Sequence, residues 1–224
     1  MEQTPNKGHY LDIETWKRRA QFNFFSRFDQ PFFNLCVEVP VGATQSYCKQ
    51  ESISYFLASW YLCLRALNAT EAFRYRLRGE RVWVHERIHV GSTVLGDDDT
   101  FSFAYIHYDD SFSAFAAKGR AAVDAAKQQG GLNPLDERDD LVHGSVIPWL
   151  SFTSVAHARH SDPSDSVPKI TFGRYHKVGD SLMMPLSVEA HHALLDGLDV
   201  ARFVERFEAL LAEPGKHLGQ PGTV

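Results

Sequence analysis

Apolar residues recur along this chain with two periods, and the period predicts most of its elements. "FFNLCVEV" alternates, which places Phe33, Leu35, Val37 and Val39 on one face of a half-buried strand. "SISYFLASWYLCLRAL" is apolar over 16 residues, too long a run for an ordinary strand, and predicts a buried helix. "FRYRLRGERVWVHERIHV" predicts two strands joined around Gly79, and "FSFAYIHY" predicts another. The alanine-rich "SFSAFAAKGRAAVDAAKQQ" predicts a helix that stops at Gly130-Gly131. Asp12 or Thr15 is placed to cap a first helix through "WKRRAQFNFF".

The second half reads the same way. "GGLNPLDERDD" is a loop, followed by strands around "SVIPWLSFTSV", "KITFGRYHKV" and "SLMMPLSVEA". Gly179-Asp180 predicts a hairpin turn between the last two. A final helix carries Val200, Phe203, Val204, Phe207, Leu210 and Leu211 as one apolar stripe and ends at Pro214-Gly215. The sequence contains no repeat, low-complexity run or linker. The alternation of strands and helices predicts one α/β domain on a mixed sheet over residues 1–224, with a core of about 8–212 and a tail at 213–224.

Composition narrows the function classes. With 44% hydrophobic and 12% aromatic residues the chain can bury a large core, unlike a disordered segment. The net charge is −5, and the basic residues are scattered or paired with acids, as in "RLRGERVWVHER", so no nucleic-acid partner is expected. The polar start "MEQTPNKGHYLD" lacks the apolar core of a signal peptide, and no window approaches the roughly 20 apolar residues of a membrane span. Cys36, Cys48 and Cys63 lie in or beside apolar runs and are expected as small core residues. These features predict a cytoplasmic protein without membrane contact.

The candidate chemistry sits in "MMPLSVEAHHALLDG". Strand parity puts His192 with Leu182, Met184, Leu186, Val188 and Ala190 on the apolar face, and His191 with Ser187 and Glu189 on the polar one. A zinc site needs three or four ligands, and only His192 and Asp196 present themselves locally, so no metal is expected. Read from pattern alone, His192 is either a core histidine bonded to a backbone carbonyl or a reactive group where a strand gives way to a loop.

"HHALLDG", with "PLSV" before it and "VARFVERFEALL" after it, resembles the signature of the chloramphenicol acetyltransferase family: two histidines, three mostly apolar residues, then Asp-Gly. Related CoA-dependent acyltransferases carry versions of the same motif. "DIETWKRRAQF", "DDDTFSF", "GSVIPWLSFTS" and "ITFGRY" resemble further motifs of that family, in its order, over roughly residues 8–212. The resemblance implies a two-layer α/β sandwich with helices packed on one face of the sheet. It also implies an acetyl-CoA-dependent O-acetyltransferase with no tightly bound cofactor. The assembly it implies is a homotrimer with active sites at subunit interfaces.

By the same resemblance His192 is the general base, Asp196 pairs with Arg18 to hold its loop, Ser145 donates to the oxyanion, and Thr171 holds a water nearby. A two-residue turn at Gly179-Asp180 would pair Thr171 with Val188, on the face of His192. Phe24, Phe25, Phe101, Phe103, His143, Val155 and His157 fall at acceptor-pocket positions, and Trp149, Arg174 and Tyr175 along the coenzyme A channel. The pocket departs from the family pattern. Phe25 stands in place of a tyrosine, Phe103 of a small alanine, His143 of an asparagine and His157 of an apolar residue. Chloramphenicol or a related small hydroxyl compound is the expected acceptor. The alternatives are another metabolic alcohol or amine, or a ligand-binding homologue without catalysis. The acyltransferase core of a dehydrogenase complex is disfavoured, because no lipoyl domain or Ala/Pro linker is present.

Overall fold

The computed structural model describes residues 7–132, 134, 138–159, 162 and 164–219. A short strand β1 (Gly8–Tyr10) leads into helix α1 (Arg19–Phe25). Asp12 does not cap that helix. Its carboxylate accepts from the Glu14 amide and the Thr15 hydroxyl and closes a turn ahead of it, while Trp16 packs edge-on against Tyr75. Strand β2 (Phe32–Pro40) follows, then helix α2 (Gly42–Gln50), which buries only Thr44 and Cys48 and therefore left no apolar stripe in the sequence. Helix α3 (Tyr55–Asn68) is the buried helix of the apolar run, N-capped by Ser54.

Strands β3 (Tyr75–Arg78) and β4 (Arg81–His85) form the hairpin at Gly79, whose φ of 62° suits glycine. The predicted second strand does not run on to Val90; it breaks after His85, and β5 (His89–Leu95) begins anew. That break separates two sheets. β1, β4 and β3 make a small antiparallel sheet of their own. β6 (Phe101–Ile106) and helix α4 (Phe112–Gln129), capped by Ser111 and stopped at Gly130, fall where the pattern put them.

β7 spans Leu141–Ile147 and ends before Pro148, so "PWLSFTSV" is an irregular segment and not a strand. "KITFGRYHKV" divides into β8 (Lys169–Gly173) and β9 (His176–Val178). β10 (Ser181–His191) is followed by α5 (Gly197–Ala212) and by α6 (Pro214–Leu218). The expected tail is thus partly folded, with Leu218 in the core.

The main sheet runs β2-β10-β8-β7-β5-β6, with β9 also on β10; β7 is parallel to β5 and β8 and the other pairs are antiparallel. Pleating sorts its two faces. Leu186, Val188, Ile170 and Phe172 join Trp60, Phe203 and Phe207 in the core under the helices. The opposite face carries two polar rows across adjacent strands, Ser145–Thr171–Ser187–Cys36 and His143–Lys169–Glu189–Asn34. Cys48 and Cys63 are core residues as expected, whereas Cys36 is half-buried on this polar face beside Asn34.

The register corrects one expectation. Val178 faces Ser181 and His176 faces Met183, but Phe172 faces Leu186, four residues on against three. The extra residue at Arg174–Tyr175 bulges and shifts the pairing by one. Thr171 therefore faces Ser187, not Val188, and lies on the polar face.

Gly144 shows how tightly β7 is placed. A Cβ there would stand 2.5 Å from the Trp60 ring and 2.9 Å from Val90. Gly144→Ala is expected to destabilise the fold by about 1–3 kcal/mol, measured by urea denaturation; unchanged stability would mean that Trp60 yields freely.

Candidate active site

His191 and His192 part company where β10 ends. His191 is the last strand residue, pairs with Phe32 and is buried, with the Phe32 ring edge-on at 5.1 Å. Its Nδ1 accepts from the Ala193 amide at 3.3 Å, and burial, aided by nearby Arg159, lowers its pKa to about 4. It is a neutral structural residue. His192 does not continue the strand on its apolar face; it starts the turn that follows.

That turn is held at several points. The His192 amide donates to the Pro31 carbonyl at 2.7 Å. Its ring stacks on Phe25 at 3.9 Å and 12° and packs against Phe33 at 4.7 Å. Nδ1 lies 3.1 Å from the Leu195 carbonyl oxygen, which can only accept, so Nδ1 carries the hydrogen and the neutral ring keeps a lone pair on Nε2. Phe25, where the family motif has a tyrosine, is thus first of all a platform for this imidazole.

Asp196 anchors the turn's far end. It N-caps α5 through the Leu198 and Asp199 amides, and Asp199 returns the bond to the Asp196 amide, a complete capping box. The Arg18 guanidinium bonds the Asp196 carboxylate and reaches the His192 carbonyl at 3.4 Å. Burial alone would raise the Asp196 carboxyl, but the Arg18 bond and charge outweigh it and hold the group below the ordinary carboxylate range. A cleft of about 630 Å³ is lined by Arg18 and Asp199 but by none of His192, Ser145 and Thr171.

The remaining candidates lie on the polar face. Ser145 is half-buried, and its hydroxyl makes no hydrogen bond among the described residues. Thr171 is fully buried; its Oγ1 is 2.9 Å from His157 Nε2, so it does not open onto a pocket in this chain. His157 Nδ1 lies 3.1 Å from Glu189, and Arg159 bonds the same carboxylate. Glu189 and Arg159 were not among the residues singled out from the sequence. The available signal was a carboxylate in an otherwise apolar strand, which needs a partner when buried. His143 is exposed beside them, Val155 is half-buried, and Phe101 and Phe103 stand edge to face at 5.7 Å on β6.

The other groups are spread further. Trp149 and Tyr175 are exposed, Tyr175 lies edge-on to Tyr55, and the Arg174 amide donates to the Leu150 carbonyl, all near the bulge. His192 is five residues past Ser187, which shares a row with Ser145. At about 3.4 Å per residue that is roughly 17 Å along the strand alone. Phe24 is 60% exposed and sits with Phe25 at the His192 end. Within one chain, then, the imidazole and the serine hydroxyl cannot act on one atom. Among the described residues, no three His, Cys, Asp or Glu side chains could hold a metal ion, and no helix is long and apolar enough to cross a membrane.

The sequence pattern of the chloramphenicol acetyltransferase family matches residues 8–208. A chloramphenicol acetyltransferase of Streptomyces acrimycini is 30% identical over 215 residues, covering 91% of this chain and 94% of that one. A solved chloramphenicol acetyltransferase structure superposes with a TM-score of 0.86 at 27% identity, over 92% of this chain and all of the other. The cubic core of a pyruvate dehydrogenase complex has a TM-score of 0.66 at 17% identity over 89% of each chain, a likeness of fold alone.

If Arg18 and Asp196 act as one tether, Arg18→Met and Asp196→Asn should each lower turnover, and the double variant should lose less than the two losses summed. The expected coupling is about 0.5–3 kcal/mol, read from kcat/KM in a double-mutant cycle. Fully additive losses would mean that the two are not partners.

Proposed function

The chain belongs to the chloramphenicol acetyltransferase family and is an acyltransferase, and from that premise we propose that it transfers acetyl from acetyl-CoA to a hydroxyl of chloramphenicol or a related small acceptor. The observation that carries this reading is His192. Its Nδ1 is held by Leu195, its ring by Phe25 and its loop by Arg18 and Asp196, which leaves Nε2 as the one unengaged ring nitrogen.

In this reading Nε2 takes the acceptor's hydroxyl proton while the oxygen attacks the thioester carbonyl. Ser145, with its hydroxyl uncommitted, donates to the tetrahedral oxyanion. Collapse expels the CoA thiolate, and the proton on Nε2 goes to that sulfur. No acetyl-enzyme forms and no metal takes part. Trp149, Arg174 and Tyr175 line the approach of the coenzyme, and acetyl-CoA is a co-substrate and not a resident group. The free His192 argues against a pure ligand-binding protein, which has no use for a base.

The separation of His192 from Ser145 supports a shared site, in which His192 of one protomer serves the polar face of the next. We assign a homotrimer in the cytoplasm. The apolar side chains packed on Phe25 beside the histidine fit burial against a partner: Phe24 and Phe28 are 60% and 48% exposed. A second reading, in which another alcohol or an amine is the natural acceptor, is favoured by one observation. Phe25 stands where the family motif has a tyrosine and has no polar atom, so the hydrogen bond that a phenol would give the acceptor is not available there.

Thiol release from acetyl-CoA, assayed with chloramphenicol and a panel of alcohols and amines, tests the reaction. His192→Ala should cost roughly 10²–10⁴-fold in turnover with little change in acetyl-CoA KM. His191→Ala should keep catalysis and lose about 1 kcal/mol of stability; the reverse outcome would sink the assignment. For the shared site, His192→Ala and Ser145→Ala chains should each be inactive alone. Co-expressed, they should regain part of the activity, because some interfaces then carry both intact groups. No regain in verified mixed assemblies would refute the shared site.

A further inference from the structure

We propose that Glu189 and Arg159 are positioning residues that lock His157 over Thr171 and thereby decide which acceptors the pocket takes, an inference that rests on the acetyl-transfer reading above. The geometry is closed on every side. Glu189 Oε2 lies 3.1 Å from His157 Nδ1, and a carboxylate can only accept, so that nitrogen carries its hydrogen. Nε2 then meets the Thr171 hydroxyl at 2.9 Å.

Glu189 cannot swing away. Arg159 bonds it through Nε, bonds Asp165 at 2.7 Å and the Val167 carbonyl at 3.2 Å, and stacks its guanidinium over Phe32 at 3.5 Å. Burial would raise the Glu189 carboxyl, but the His157 and Arg159 bonds outweigh it and hold it at about 2, so it is charged near neutral pH.

Hydroxyl, imidazole and carboxylate in series have the form of a nucleophilic triad. Burial excludes that use here. Thr171 is wholly inaccessible in mid-strand between β7 and β10, and no acyl group can reach it. The series holds the ring still. Because both ring nitrogens are engaged, on Glu189 and on Thr171, the His157 imidazole offers a ligand on the polar face no free donor or acceptor, only ring carbons. Breaking either bond to serve a ligand would strand a buried polar group. This wall selects an acceptor whose group at that place is flat and apolar, an aryl-bearing alcohol, and denies polar acceptors the Thr171 hydroxyl and the Glu189 carboxylate.

The test uses the assembled enzyme with chloramphenicol as the aryl alcohol and an amino alcohol as the polar competitor. His157→Ala uncovers Thr171 and Glu189. The aryl acceptor's KM should rise about tenfold or more, with kcat within a few-fold and acetyl-CoA KM unchanged, and preference should shift toward the amino alcohol. Free imidazole should partly restore the aryl KM by refilling the space. Glu189→Gln, which keeps one bond to the ring, should show a smaller rise. His157→Phe keeps the flat ring without its nitrogens and should retain the aryl preference, which also covers the case in which the alanine variant does not fold. Binding of chloramphenicol measured by calorimetry needs no turnover and should weaken by the same factor in His157→Ala. Equal aryl affinity in the wild type and His157→Ala, or no measurable affinity in either, overturns the proposal. So does an equal fall in kcat for all acceptors. Binding that responds as expected in an enzyme that releases no CoA would uphold this wall and overturn only the acetyl-transfer reading.

Discussion

Strand β10 is buried on both faces over Met184–His191, and that constraint organises the rest of the molecule. Its even-numbered side chains are aliphatic and meet the helices. Of the odd-numbered ones in that stretch, Ser187, Glu189 and His191 are polar and buried too, and Pro185 alone is apolar. A buried polar group without a partner costs about 1–3 kcal/mol, and a buried charge more. Each is therefore answered: Ser187 by Asn34, Glu189 by His157 and Arg159, and His191 by the Ala193 amide. These partners fix the side chains of the polar face in place.

The same strand leads into the His192 turn. Where β10 stops, the Asp196 capping box begins α5 within five residues, and Arg18 reaches from the N-terminal segment to close the loop. A surface pair of this kind would contribute little to stability. Here the Arg18 side chain is only 11% exposed, so losing Asp196 would leave a largely buried cation and an untied loop. The tether's main effect is geometric: it fixes the loop that carries the His192 ring, and the base catalysis proposed for that ring would depend on its direction.

Much of this was legible in the sequence. The apolar run became α3, the alanine-rich segment became α4 between Ser111 and Gly130, and the final stripe became α5, because each pattern reports a single buried face. The turn at Gly179-Asp180 and the motif around His192 were legible too. Helix α2 was not, since it buries only two small side chains. The split of the strand at His85 and the short β9 were missed for a related reason: periodicity carries no information on which sheet a strand joins.

The sequence by itself determined the family and the α/β class, and it named the groups proposed for acid–base chemistry, because those follow from local spacing and residue type. Only the tertiary structure decided where these groups stand. One extra residue at Arg174–Tyr175 moved Thr171 to the polar face and beneath His157, and the end of β10 at His191 freed His192 from the strand. Both outcomes depend on pairing between segments far apart in the chain. A register shift of one residue inverts a face while leaving the local pattern unchanged.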